Sequence, residues 1–244
     1  MQRLAVVLCC LLLHAPASQA SDPDWTPRQA LEIAEALQLK NRGEYHEAAR
    51  IRTILAVQGV AHAQYQLGEA YALGRGVYRQ SWFTAMQFFA LAAKQGEPHA
   101  QFELGGLYRF GKGLLEPDEK LAVHWTRLSA KQGLAEAQLA LAHFYADGVG
   151  VLQNHATAAN WFRRAAEQNN SEAQAALGVL FGRGLGVHQD WQLAHYWLNI
   201  ASSQGHAEAR LYLKNLERSM LPRDIAEAQA LADIFEPVCE LECR

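Results

Sequence analysis

Three stretches of the sequence hold residues of the right types and spacing for chemistry. Gly106–Lys112 (GLYRFGK) matches a phosphate-binding loop as far as its lysine. Such a loop cradles phosphates with backbone N–H groups and needs a Ser or Thr after the lysine to hold magnesium. Gly113 stands there instead, and the stretch reads as a helix end where the loop should follow a strand. Among the ten histidines, His62 and His99 occupy matching places in successive segments and could share one face as a metal pair. The plainer expectation for them, and for His143, is solvated side chains. Cys239 and Cys243 (CELEC) are the only cysteines after residue 20. In an oxidising compartment they could close a disulfide. A four-residue spacing puts both on one face of a helix, where a bridge would strain the turn, so a bend in the tail is expected. Free or intermolecular thiols and metal ligation are the other outcomes open to the pair. Ser-x-x-Lys, Gly-x-Ser-x-Gly and His-Glu-x-x-His are all absent. The expectation is a chain with no catalytic residue, no cofactor and no resident metal.

The elements around these residues repeat. AQYQLGEAY begins at Ala63, AQFELGGLY at Ala100, AQLALAHFY at Ala137 and AQAALGVLF at Ala173, with a weaker ARLYLKNLE at Ala209. The period is 37 or 36 residues, and a fixed period in this range signals stacked helix pairs. Leu67, Leu104, Leu141 and Leu177 share one core slot, and Tyr71, Tyr108, Tyr145 and Phe181 lie one turn on along the same face. Gly68, Gly105 and Gly178, with Ala142 in the third copy, follow the leucine, where only a tiny side chain lets the second helix approach. A Gly-x-Gly turn comes next, starting at Gly74, Gly111, Gly148 and Gly184. The apolar residue after it (Val77, Leu114, Val151, Val187) is expected to plug the turn into the core. Ser81, Asp118, Asn154 and Asp190 are strong N-caps for the second helices. Ala85, Ala122, Ala158 and Ala194, then Phe88, Trp125, Trp161 and Trp197, complete the pattern, and each second helix ends in Gln-Gly or Gln-Asn.

This pattern resembles the Sel-1-like repeat family, a branch of the tetratricopeptide superfamily. The resemblance implies an all-α fold, a right-handed α/α superhelix (solenoid) of helix-turn-helix repeats, used for protein–protein interaction and often found in bacterial envelope proteins. Residues 61–206 would hold four repeats. Residues 21–60 would be an N-terminal capping helix pair, with Thr26-Pro27 opening its first helix. Residues 207–236 would be a half-repeat and closing helix, and 237–244 a tail with the cysteine pair. Some cysteine-rich relatives have been linked to β-lactam binding or hydrolysis. They carry a cysteine pair in each repeat, and the repeats here carry none.

In tetratricopeptide relatives the concave face is lined by variable positions of each first helix. The matching positions here are His62, Tyr65 and Glu69, then His99, Phe102 and Arg109, then Glu136, Leu139 and His143, then Glu172 and Val179. This mixed lining lacks the basic cluster that a carboxylate clamp needs and suits an extended or helical segment held by apolar contacts. Trp82, Phe83 and Trp191 fall just after the N-caps. They either pack against a turn or stand out as aromatic anchors for a partner.

Residues 1–20 read as a secretory signal peptide, with Arg3, an apolar run over Leu4–Leu13 and cleavage after Ala20. The apolar run is too short to span a bilayer, so the mature chain is expected in the periplasm or secreted, without a membrane span. The chain has 22 basic and 25 acidic residues and no basic block, which removes the electrostatic footing for nucleic acid. The function expected is a non-catalytic scaffold for another protein. A sensor that restrains a signalling partner would share the same scaffold.

Overall fold

The structure, a computed structural model, describes residues 26–113 and 116–235. The expected signal peptide with its cleavage after Ala20, the expected plug residue Leu114, and Cys239 and Cys243 lie outside the described residues. The described residues form twelve α-helices and no strand. They divide between Ser129 and Ala130 into two compact units.

The first unit holds α1 (Pro27–Asn41), α2 (Tyr45–Val57), α3 (Ala61–Leu73), α4 (Trp82–Lys94), α5 (Pro98–Phe110) and most of α6 (Glu119–Lys131). The second holds α7 (Ala135–Asp147), α8 (His155–Glu167), α9 (Ser171–Arg183), α10 (Trp191–Ser203), α11 (Ala207–Glu217) and α12 (Pro222–Asp233). In the second unit α7 to α11 pack in succession and α12 returns to lie against α10; in the first, α1 to α5 pack in succession.

Local chemistry sets these boundaries. Thr26 opens α1 with a capping box to Gln29, followed by Pro27 at the first helical position. The Ser81, Asp118, Asn154 and Asp190 side chains each accept the backbone N–H three residues on, so all four expected caps are in place. Each cap also donates its own backbone N–H to the backbone carbonyl of the first helix's aromatic residue: Ser81 to Tyr71, Asp118 to Tyr108, Asn154 to Tyr145 and Asp190 to Phe181. That bond folds the second helix back onto the first. The caps thus do two jobs, stopping one helix pair from opening while starting its second helix.

The core is built from small residues at the crossings. Ala85, Ala122, Ala158 and Ala194 are fully buried, as are Leu67, Leu104, Leu141 and Leu177. A Cβ at Gly178 would lie 2.7 Å from Leu198 Cγ and 3.1 Å from the Ala194 carbonyl, so that crossing tolerates glycine only. The plug expectation fails at Val77, which is 41% exposed. Tyr78 takes the inward place instead. Its ring packs 4.8 Å from that of Tyr71, and its hydroxyl donates to the Ala49 carbonyl at 3.1 Å.

A buried glutamine ties each first helix to the second helices on either side. Gln64, Gln101, Gln138 and Gln174 are buried, and each donates its amide to a last-turn carbonyl of the preceding second helix: Ala56, Ala93, Ala130 and Ala166, at 3.1–3.3 Å. Each of these carbonyls also accepts the backbone N–H three residues on, from Gly59, Gly96, Gly133 and Asn169, so the glutamine amide takes its second acceptor site. The side-chain oxygen then accepts from the glutamine ending the next second helix: Gln95 to Gln64, Gln168 to Gln138 and Gln204 to Gln174, at 2.7–2.8 Å.

The turns press on the preceding repeat. Gly186 has φ +71°, and a Cβ there would lie 2.2 Å from the carbonyl carbon of His155, the first residue of α8. Gly186→Val should therefore lose at least about 2 kcal/mol of unfolding free energy, from positive-φ strain and overpacking together. Urea denaturation measures it; an unchanged midpoint would contradict this reading of the turn.

Candidate partner-binding site

In the first unit α3 and α5 lie side by side, and four of the groove candidates gather where they meet. His62 and His99 both turn toward Glu97, the N-cap residue of α5, whose carboxylate also accepts the Ala100 N–H. His99 Nδ1 is 3.2 Å and His62 Nδ1 4.0 Å from Glu97 Oε1. Tyr65 lies between the two rings, with centroids 5.3 Å from His99 and 6.1 Å from His62, and backs onto Phe89 at 6.0 Å.

The hydrogen-bond donors run in one direction. Arg52 Nε donates to Gln66 Oε1 at 3.1 Å, which leaves the Gln66 amide facing His62 Nε2 at 2.7 Å. The imidazole accepts there, so its proton sits on Nδ1 toward Glu97. Burial pushes His62 down to about 4; Glu97 opposes this, and His99 and Arg52 add to it. His62 is therefore neutral at pH 7 and nearly buried, with 13% of its side chain exposed. The expectation of a solvated histidine is wrong there, because Gln66 and Glu97 enclose the ring. His99, with 35% of its side chain exposed, keeps an open edge. Beside it, burial pushes the Glu103 carboxyl up; Glu69 reinforces the shift, and His99 and Lys112 oppose it. Glu69 thus joins the same cluster.

Phe102 and Arg109 are half-buried on α5, with the Arg109 guanidinium 5.4 Å from the Phe110 ring centroid. Glu136 and His143 belong to the second unit. Glu136 is exposed, and His143 Nε2 lies 3.3 Å from Glu172 Oε1 in poor alignment for a hydrogen bond. Trp82 is half-buried: Lys112 Nζ covers its ring at 4.5 Å, and its carbonyl lies against Gly113 of the following turn. Phe83 and Trp191 stand 47% and 43% exposed. Gly106–Phe110 is helical and Gly111 closes α5 in the left-handed region, so the near phosphate loop is a helix C-cap. Among the described residues no group of three or more His, Cys, Asp or Glu is placed to hold a metal, and no helix is long and apolar enough to cross a membrane.

Sequence reasoning missed Glu97, Glu103 and Gln66. A signal for Glu97 existed: an acid occupies the N-cap slot that is Val60 and Leu134 in neighbouring copies.

Stacked helix pairs with conserved spacing of core, cap and turn define an α-helical repeat protein. The chain belongs to the Sel1 repeat family, whose model matches residues 61–97, 98–134, 135–170 and 171–206. Among solved structures it is similar to a Sel1 repeat protein from Oxalobacter formigenes, at 27% identity and TM-score 0.72 over 84% of this chain and 86% of that one. A protective antigen of uropathogenic Escherichia coli with an SLR fold follows at 24% identity and TM-score 0.57, over 85% of this chain and 53% of that one. An immunity protein from Pseudomonas aeruginosa shares the fold at 17% identity and TM-score 0.50, over 89% of this chain and 83% of that one. Among curated proteins nothing matches.

The His62 geometry predicts a pH dependence. The unfolded histidine protonates near 6.5 and the folded one at about 4. Between these values the unfolded chain binds more protons, so this contribution is complete above pH 6.5 and is lost as pH falls toward 4. The loss should be on the order of 3 kcal/mol. Urea midpoints at pH 7 and 4.5 should fall less steeply in His62→Gln than in the parent; equal slopes would contradict the assignment.

Proposed function

We propose that the chain is a non-catalytic scaffold of the bacterial cell envelope that holds another protein against its first helices. One observation carries this reading. Residues shared by all copies are spent on packing, whereas Tyr65, His99, Phe102 and Arg109 depart from the repeat and remain partly open on the α3–α5 face. Two aromatics, a histidine and a guanidinium beside the Glu69 and Glu103 carboxylates offer apolar contact with polar orientation. That combination suits recognition of a protein segment. Placement in the envelope rests on residues 1–20, which read as a signal peptide cut after Ala20.

A photo-activated cross-linker at Phe102, used in living cells, should trap one discrete protein that the same probe at Leu152, a 91% exposed loop residue, does not. Recovery of the same proteins from both positions would overturn the site. The mature chain recovered from the cell should begin at Ser21; an intact amino terminus in the cytoplasmic fraction would overturn the envelope placement.

A further inference from the structure

The second unit contains a cleft of about 170 Å³ between α9 and α11, floored by α10. Gly178, Gly182 and Leu198 form its apolar base, and Arg183, Tyr212 and Asn215 line the rest. The two glycines are there for different reasons. Gly178 is demanded by the helix crossing, as its blocked Cβ position shows. Gly182 is not. Its φ is helical, a Cβ there would meet only Ala194 Cβ at an ordinary 3.6 Å, and the other copies carry Ala72, Arg109 and Ala146 at this position. A helical glycine costs up to about 1 kcal/mol relative to alanine, and its one evident effect here is to leave the cleft empty.

Arg183 is the only charged residue lining the cleft. Its Nη2 lies 3.3 Å from the Tyr212 hydroxyl, with the guanidinium 5.8 Å from that ring's centroid. No carboxylate among the described residues pairs with it. Other copies have Leu73, Phe110 and Asp147 in its place, and Gln66, Glu103, Ala140 and Ala176 in that of Tyr212. An apolar base beside an acid-seeking fork, steadied by a tyrosine, appears in this copy alone among the described residues. A cavity of this size accepts a branched aliphatic group, and a guanidinium fork matches a carboxylate bidentately.

We infer that this cleft binds a partner segment in which an aliphatic side chain sits next to an acidic residue. The aliphatic group fills the space over Gly182, and the carboxylate pairs with Arg183. This rests on the scaffold reading and adds to it a second contact point with defined partner chemistry.

NMR titration of the full isotope-labelled chain with capped dipeptides tests it. Acetyl-Leu-Glu-amide should shift the Gly178, Gly182 and Arg183 signals saturably, and acetyl-Leu-Lys-amide should not. Arg183→Gln should weaken the Leu-Glu dipeptide about tenfold. Gly182→Leu, which puts an isobutyl group where the partner's aliphatic side chain would sit, should abolish its binding, with a circular dichroism spectrum matching the parent's to show that the fold is kept. Equal responses to the two dipeptides, or a response unchanged in both variants, would overturn the proposal. A partner trapped at Phe102 with no dipeptide response removes this cleft alone; a dipeptide response with no partner at Phe102 keeps the cleft and removes the α3–α5 face as the contact surface.

Discussion

The buried glutamine of each first helix is the interaction on which the stack depends. A bundle of short helices is held by small apolar contacts, which leave rotation and height of each helix loosely determined. Gln64, Gln101, Gln138 and Gln174 remove that freedom. Each amide must reach one carbonyl of the preceding second helix, and where the next contact is described its oxygen must meet the glutamine that ends the following one. A buried amide left unpaired is costly, so only one register of three successive helices satisfies it. The repeat's other polar bonds, from caps to first-helix aromatics, fix the turn within a pair. The glutamine fixes one pair against the next.

Once the polar demands of the stack are met internally, the remaining first-helix positions are released from packing. In the first unit these collect around Glu97, where a chain from Arg52 through Gln66 and His62 leads to His99 at the surface. In the second unit they leave the cleft beneath Arg183 and Tyr212. The two places differ in chemistry, one aromatic and acidic, the other apolar and cationic, although both grow from the same repeat.

Most of the fold was legible because its signals are short-range and recur. Leucine slots, caps and glycine turns repeat at one period, and each has a single physical reading, so copies corroborate one another. The glutamine could have been read the same way, since Ala-Gln opens all four copies and Gln ends each second helix; spacing alone did not reveal that the two meet. The site was legible in membership more than in character. His62, Tyr65 and His99 do come together, yet the burial of His62 depends on Gln66 and Glu97, which belong to no repeat signal. Val77 failed for a similar reason: Tyr78 reaches the Ala49 carbonyl and the core, a competition that an apolar slot alone does not disclose. Individual residues that override a repeat are where a single sequence carries least information.

The direct test of the glutamine's role is the unfolding free energy of Gln138→Met. Methionine matches the side chain in length and is more apolar, so burial alone would leave stability unchanged or raise it. If the ladder sets the register, the variant loses about 1 kcal/mol or more, because both hydrogen bonds of Gln138 go, although the Gln168 amide keeps the Gly133 carbonyl and the Ala130 carbonyl keeps the Gly133 N–H. Stability equal to or above that of the parent chain would contradict the account.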